Sequence, residues 1–201
     1  MTIPPDSDVY VLDANRRRFP ANVYTQIGLH TTAGIGNHKQ VTRTLIAGNK
    51  GVHFVCDSNG DWVQILNLNL RGAHIKGLND IAVGIEFVSP LFDGDLADRE
   101  AQKGVIRPRY EVSQGKRKIA YVGLTKEQMD SALHFVPKLC DDLGIPRAVP
   151  CNLDGSLLRK SFATLPLARA FSGVLGHFHW HPNKHDPGFD VMERLHKEFR
   201  K

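Results

Sequence analysis

Cysteine is scarce in this chain of 201 residues. Cys56, Cys140 and Cys151 make an odd number with no C-x-x-C spacing, which excludes a disulfide framework and predicts reduced, structural thiols made in a cytoplasm. Long apolar runs are missing too: no stretch approaches the roughly eighteen residues of a membrane helix, so no membrane span is expected. The opening Met1-Thr2-Ile3-Pro4-Pro5-Asp6-Ser7-Asp8 lacks the basic and then apolar stretch of a secretory signal, which predicts synthesis in the cytoplasm. Internal repeats are absent as well, which leaves alternating strands and helices as the organising pattern.

What is present has a globular balance. Hydrophobic residues at 41% and charged ones at 23% suit a soluble fold, and the length suits one domain able to bury a core. The net charge of +5 is unevenly spread. Arg99, Lys103, Arg107, Arg109, Lys116, Arg117 and Lys118 stand against only Glu100 and Glu111, an excess equal to that of the whole chain. Such a stretch is either a solvated loop or a surface for an anionic partner. Aromatics interleave it only at Tyr110, so nucleic acid is not expected.

Along the chain, Val23 to His30 alternates as a strand, with Gly28 and His30 on one face and Ile27 and Leu29 on the other. Asn37 and Gln40 have the spacing of a helix capping box, and Gly48 closes the short helix. Val52–Asp57 and Asp61–Leu66 flank Ser58-Asn59-Gly60 as a hairpin, and Ile81–Val88 is a further strand. The clearest helix runs from Thr125 to Leu143. Thr125 and Gln128 form its capping box, Leu124 and Met129 a hydrophobic staple, and Gly144 its stop. Its buried stripe is Leu133, Val136, Leu139, Cys140 and Leu143, and Pro137 should bend its axis. A last helix is predicted from Asp190, with Glu193 completing a third capping box. The stretches 89–123 and 145–173 are long for loops, which makes them lids, binding loops or insertions.

The chemistry concentrates near the C-terminus. His177, His179, His181 and His185 fall within nine residues, beside Lys184 and Asp186. Imidazole and carboxylate are the ligands of hydrolytic zinc, which takes three and leaves a position for water. His30, ending a strand far upstream, can supply one. At the cluster His177 and His179 compete, since both share a face if the chain stays extended; Asp186-Pro187-Gly188 is a tight turn able to swing its carboxylate back, and Lys184 can project the same way. His181 and His185 read as surface or outer positions. Glu86, at mid-strand among Val83, Ile85 and Phe87, is costly to bury without a partner or a task. It shares its face with Gly84 and Ala82, small neighbours that leave space for a metal and a substrate. The reading is a zinc hydrolase; a merely polar His-rich loop leaves His30 and Glu86 unexplained.

These residues resemble a known family. Ile27-Gly28-Leu29-His30-Thr31-Thr32-Ala33-Gly34, Val52-His53-Phe54-Val55 before Asn59-Gly60, Gly72-Ala73-His74 and Asn79-Asp80-Ile81-Ala82-Val83-Gly84-Ile85-Glu86 occur in order. Leu124-Thr125-Lys126-Glu127-Gln128, Gly176-His177 and Lys184-His185-Asp186-Pro187-Gly188 follow. The set is similar to the zinc-dependent N-acetylmuramoyl-L-alanine amidases, whose superfamily includes the peptidoglycan recognition proteins. The resemblance implies an α/β fold, one domain over residues 1–201 with a central mixed β-sheet flanked by helices and insertions at 89–123 and 145–173. It implies Zn²⁺ held by His30, His177 and Asp186, Glu86 acting on the attacking water, Lys184 stabilising the oxyanion, and His53 and His74 lining the substrate groove. Val52 stands where some relatives carry a catalytic tyrosine, so the base role falls to Glu86.

The implied reaction is hydrolysis of the amide between N-acetylmuramic acid and L-alanine, in peptidoglycan or in muropeptides. The alternative is a non-catalytic peptidoglycan-binding module on the same fold, typically one that has lost a metal ligand; this chain retains all three. The basic stretch is then a candidate hold on acidic wall polymers. Three settings fit: a cytoplasmic enzyme recycling wall fragments, a phage-type lysin, or a toxin delivered to a rival's periplasm. No separate wall-anchoring repeat is visible, which disfavours a modular lysin.

Overall fold

The computed structural model describes residues 24–114 and 117–201; Met1–Asp8, Val23 and Lys116 of the expectations above lie outside them. Five strands form the central sheet: β1 (Gln26–Thr31), β2 (Phe54–Cys56), β3 (Trp62–Gln64), β4 (Ala82–Phe87) and β7 (Gly173–Gly176). Their order is β3-β2-β4-β1-β7, and all neighbours run parallel except the edge pair β2–β3. That antiparallel pair is the expected hairpin, with strands shorter than the sequence implied. Every residue of β1 and β4 is buried, as a sheet covered on both faces demands.

Register positions the chemistry. In the β1–β4 ladder Gly28 pairs with Gly84 and His30 with Glu86. In β1–β7, Leu29 pairs with Gly176, so the chain leaves β7 at His177, level with the end of β1. One face of the sheet carries Ile27, Leu29, Val83, Ile85 and Phe87 against α3 (Lys126–Leu143) and α5 (Phe189–Glu198). The opposite face carries Gln26, Gly28 and His30.

Local signals explain the helices. In α1 (His38–Ala47) and in α3 both halves of the capping box form, at Asn37/Gln40 and Thr125/Gln128. Gly144 closes α3 in the left-handed region at φ 66°, where glycine carries no steric cost. Helix α3 runs on through Pro137, burying Met129, Ala132, Phe135, Val136, Leu139 and Cys140, with Leu133 and Leu143 only partly covered. The last helix departs from expectation. It begins at Phe189 behind Gly188, which has no side-chain cap, so Asp190 lies inside the first turn. Its carboxylate turns inward under Gly188 and Gly123, and Glu193 pairs with Arg159 instead. The cysteines are free; Cys56 and Cys140 are core, and Cys151 is exposed.

Neither long stretch is structureless. Residues 89–123 build α2 (Asp95–Ala101) and the hairpin β5 (Arg109–Gln114) with β6 (Arg117–Val122), and 145–173 contain α4 (Leu165–Ala170). The basic count in 89–123 overstates its free charge. Arg107 is buried, its guanidinium donating to Glu100 at 2.6 and 3.2 Å, to Gln128 Oε1 at 2.8 Å, and to the Val88 and Gly123 carbonyls. Arg109 pairs with Asp93 and Asp98, and Lys118 with Glu111.

Candidate active site

The site forms where the parallel strands end, the usual place for chemistry in such sheets. His30 is the penultimate residue of β1, Glu86 lies beside it on β4, and a single 3₁₀ turn, His177–His179, follows β7 directly. A turn from His185 to Gly188, closed by the Gly188 N–H on the His185 carbonyl at 3.0 Å, returns Asp186 to the same point. Asp186 Oδ2 lies 3.0 Å from His177 Nδ1 and 3.5 Å from His30 Nδ1, and the two Nδ1 atoms are 3.1 Å apart. The Thr31 backbone N–H also donates to Oδ2, at 3.4 Å. Among the described residues these three side chains are the group able to hold a metal ion.

The choice between His177 and His179 is resolved by geometry. The 3₁₀ turn breaks the shared face that an extended chain would give them. His179 turns into the core, where its Nδ1 accepts from the Gly176 N–H at 3.0 Å and its Nε2–H donates to the Leu158 carbonyl at 2.8 Å. Burial pushes its pKa down to about 4. Both nitrogens are committed to holding the loop, and His177 alone faces Asp186.

Electrostatics sharpen the contrast between the carboxylates. Burial pushes the Glu86 carboxyl up to about 8, the Asp186 charge adds to that, and Lys50 and Lys184 oppose it. Burial would also raise Asp186, but the facing imidazoles of His177 and His30 hold it well below the usual carboxylate range. Desolvation keeps His30 below its ordinary value against the pull of Asp186. One carboxylate is therefore fixed as an anion while its neighbour, only 9% exposed, is poised to carry a proton. Glu86 also lines a cavity of about 140 Å³ walled by Thr32, Gly34, Ile35, Val41 and Leu45. A larger cavity of about 610 Å³ lies between residues 152–160 and α5 and includes none of these side chains.

The two expected groove histidines have their ring nitrogens engaged within the protein. His53 is fully buried: its Nδ1 accepts from the Gly84 N–H at 2.9 Å and its Nε2 faces the Leu70 carbonyl at 3.0 Å and the Tyr24 hydroxyl at 3.2 Å. His74 bridges His30 and the Ala82 carbonyl of β4, at 3.1 Å from each. The room that glycine leaves on the β4 face is thus taken by a histidine ring rather than by metal or substrate; a Cβ on Gly84 would stand 2.8 Å from the His74 ring. His181 is exposed, and His185 is half-buried against the ring of Phe92 at 6.3 Å.

Several site residues escaped the sequence. Trp180 stacks on His30 with planes 9° apart, although it lies within the histidine-rich run, and Lys50 acts on Glu86 from beyond the end of α1. Asn79 Oδ1 accepts from the backbone N–H groups of His74 and Ile75 at 2.9 and 2.7 Å. Trp180 alone carried a local signal, its place among the ligands.

The same architecture occurs in solved proteins. The N-acetylmuramoyl-L-alanine amidase LysC of Clostridium intestinale URNW matches with a TM-score of 0.52 at 14% identity, covering 90% of this chain and 94% of its own. The Staphylococcus aureus hydrolase AmiA, solved with its ligand, matches with a TM-score of 0.54 at 12% identity over 93% of this chain and 78% of its own. The E. coli amidase AmiD, solved with anhydro-N-acetylmuramic acid-L-Ala-D-gamma-Glu-L-Lys, gives 0.50 at 14% identity, over 90% of this chain and 60% of its own. At such identities the likeness establishes the fold. No curated protein matches by sequence. The family model for N-acetylmuramoyl-L-alanine amidase, however, matches residues 20–189, a span that includes both histidines, the aspartate and Glu86, and the chain belongs to that family.

Proposed function

We propose that the protein is a zinc amidase that hydrolyses the bond between the lactyl group of N-acetylmuramic acid and L-alanine. The observation that carries this reading is the convergence of His30, His177 and Asp186 on one point beside Glu86. Zinc–ligand bonds of about 2.0–2.1 Å at a tetrahedral angle set donor atoms about 3.3 Å apart, and the three separations here are 3.0, 3.1 and 3.5 Å. Two imidazoles and a carboxylate are also the donor set of a hydrolytic zinc rather than of calcium or magnesium. Zinc held there supplies Lewis-acid activation of a water and of the scissile carbonyl.

The chain's own groups do the rest. Glu86, protonated easily and released easily near neutral pH, takes a proton from the attacking water and returns it to the amine of the departing L-alanine. Lys184, exposed two residues before Asp186, meets the negative charge that develops on the carbonyl oxygen; losing one such donor typically costs about 3 kcal/mol of barrier. The Trp180 ring lies parallel to that of His30, with centroids 6.1 Å apart. An acidic wall polymer would find fewer cations on residues 99–118 than their number implies, because Arg107, Arg109 and Lys118 are already paired. We therefore rest the reading on the muropeptide alone.

The test is mass spectrometry of soluble products after the zinc-loaded protein meets purified sacculi and, separately, soluble muropeptide, with a chelator control. Free stem peptides beginning with L-alanine, absent with chelator, are the expected result. Release from muropeptide alone would assign fragment recycling. Tight sacculus binding with no release from either substrate would overturn the amidase and leave a binding module.

A further inference from the structure

We infer that His74 is a positioning residue which fixes the tautomer of His30 and so aims its Nδ1 lone pair at the metal, rather than a contact for substrate. The inference rests on the zinc reading of the His30, His177 and Asp186 cluster. It follows from a chain of hydrogen bonds whose direction is set at one end. The Ala82 carbonyl can only accept, so His74 Nε2, 3.1 Å away, must carry a hydrogen. A neutral imidazole that donates from Nε2 has a bare Nδ1. That bare Nδ1 lies 3.1 Å from His30 Nε2, which must therefore be the protonated nitrogen of His30. The lone pair of His30 is left on Nδ1, the atom that faces His177 and Asp186.

The surroundings of His74 crowd its ring. A Cβ on Gly84 would lie 2.8–2.9 Å from three of its ring atoms, one on Gly72 would lie 2.7 Å from its Cδ2, and one on Gly28 would lie 3.4 Å from its Cε1. Three glycines from β1, β4 and the loop before His74 thus make the room the imidazole occupies. Asn79 holds the backbone of His74 and Ile75 from the other side. The ring stands perpendicular to His30, at 88° with centroids 5.2 Å apart, edge-on as a nitrogen-to-nitrogen bond requires. A substrate contact would need one ring nitrogen turned outward, and both are used inside.

Four proteins test this: wild type, His74→Phe, which keeps the ring volume but removes both nitrogens, His74→Asn, whose Oδ1 can replace the Nδ1 acceptor, and Gly84→Ala, which touches no ligand. Zinc affinity is measured by competition with a chromogenic chelator on protein shown to be folded. Ring ¹⁵N shifts of His30 are recorded on metal-free wild type and His74→Phe. The expectation is that His74→Phe and Gly84→Ala bind zinc about 10- to 100-fold more weakly, with His74→Asn recovering part of the loss. Wild-type His30 should be a single Nε2–H tautomer and become mixed in His74→Phe. Zinc affinity unchanged in His74→Phe, or a wild-type His30 protonated at Nδ1, would overturn the assignment. If wild type holds no zinc, the amidase reading falls, and the tautomer in the metal-free protein still decides the role of His74.

Discussion

Two of the buried polar clusters among the described residues are opposites. Around Arg107 every donor meets an acceptor: Glu100, Gln128 and two backbone carbonyls use up the guanidinium, and the Gln128 amide goes on to the carbonyls of Cys56 and Val88. At the strand ends two imidazole nitrogens and a carboxylate oxygen crowd one point instead, 3.0 to 3.5 Å apart. A closed cluster of that kind holds chain to chain. An open one calls for a cation from outside, and the difference separates a structural network from a reactive site more surely than residue type does.

Breaking each cluster should have opposite consequences. His177→Ala removes a ligand and is expected to bring amide turnover to background while the metal-free protein melts as wild type does; activity assay and calorimetry read the two halves. Arg107→Met should do the converse. It leaves Glu100 buried without its partner, which typically costs about 3–5 kcal/mol, and urea unfolding would record the loss while the surviving folded fraction keeps its zinc affinity. If both variants lost stability alike, the distinction between the clusters would fail.

Titration sharpens the same contrast. In the metal-free protein Glu86 holds its proton up to about pH 8, against 4.5 for an ordinary glutamate. Between those values the folded state binds a proton that the unfolded state has released, so Glu86 lowers stability as pH rises. Its contribution is at most about 1.4 kcal/mol per pH unit, and Glu86→Gln should flatten that slope in denaturation curves taken from pH 5 to 8. The smallest effect belongs to Arg109→Ala. Its pairs with Asp93 and Asp98 lie in solvent, its side chain being 49% exposed, and a melting temperature within experimental scatter of wild type is expected.

How much of this was legible beforehand follows from the range of the interactions involved. The caps of α1 and α3, the left-handed Gly144 and the strand around Glu86 depend on residues within a few positions, and local rules find such features. His30 and Glu86 could be placed on glycine-bearing faces from alternation alone, and the register then set them side by side. Partners distant in sequence were out of reach. Nothing near Arg107 announces Glu100 and Gln128 as its neighbours, so a buried network read as a basic patch. Gly84 was correctly seen to make room, but what fills the room is His74, ten residues earlier, and only the folded chain shows it. Asp190 looked like a cap because its spacing to Glu193 is right; the cap is instead Gly188, at φ 109°, two residues sooner.

The placement of the ligands also has a consequence for how the protein is made. His30 ends the strand at the middle of β4-β1-β7, whereas His177 and Asp186 lie about 150 residues later. A metal bound by all three is a clasp on a very long loop, the kind of closure that removes the most freedom from an unfolded chain. While synthesis has not passed β7, strand β1 lacks one of its two neighbours and the clasp has only one half. The candidate site is thus among the last parts of the molecule that can be completed, and a chain cut short before residue 177 keeps His30 and Glu86 but lacks their two partners and the α5 side of the core.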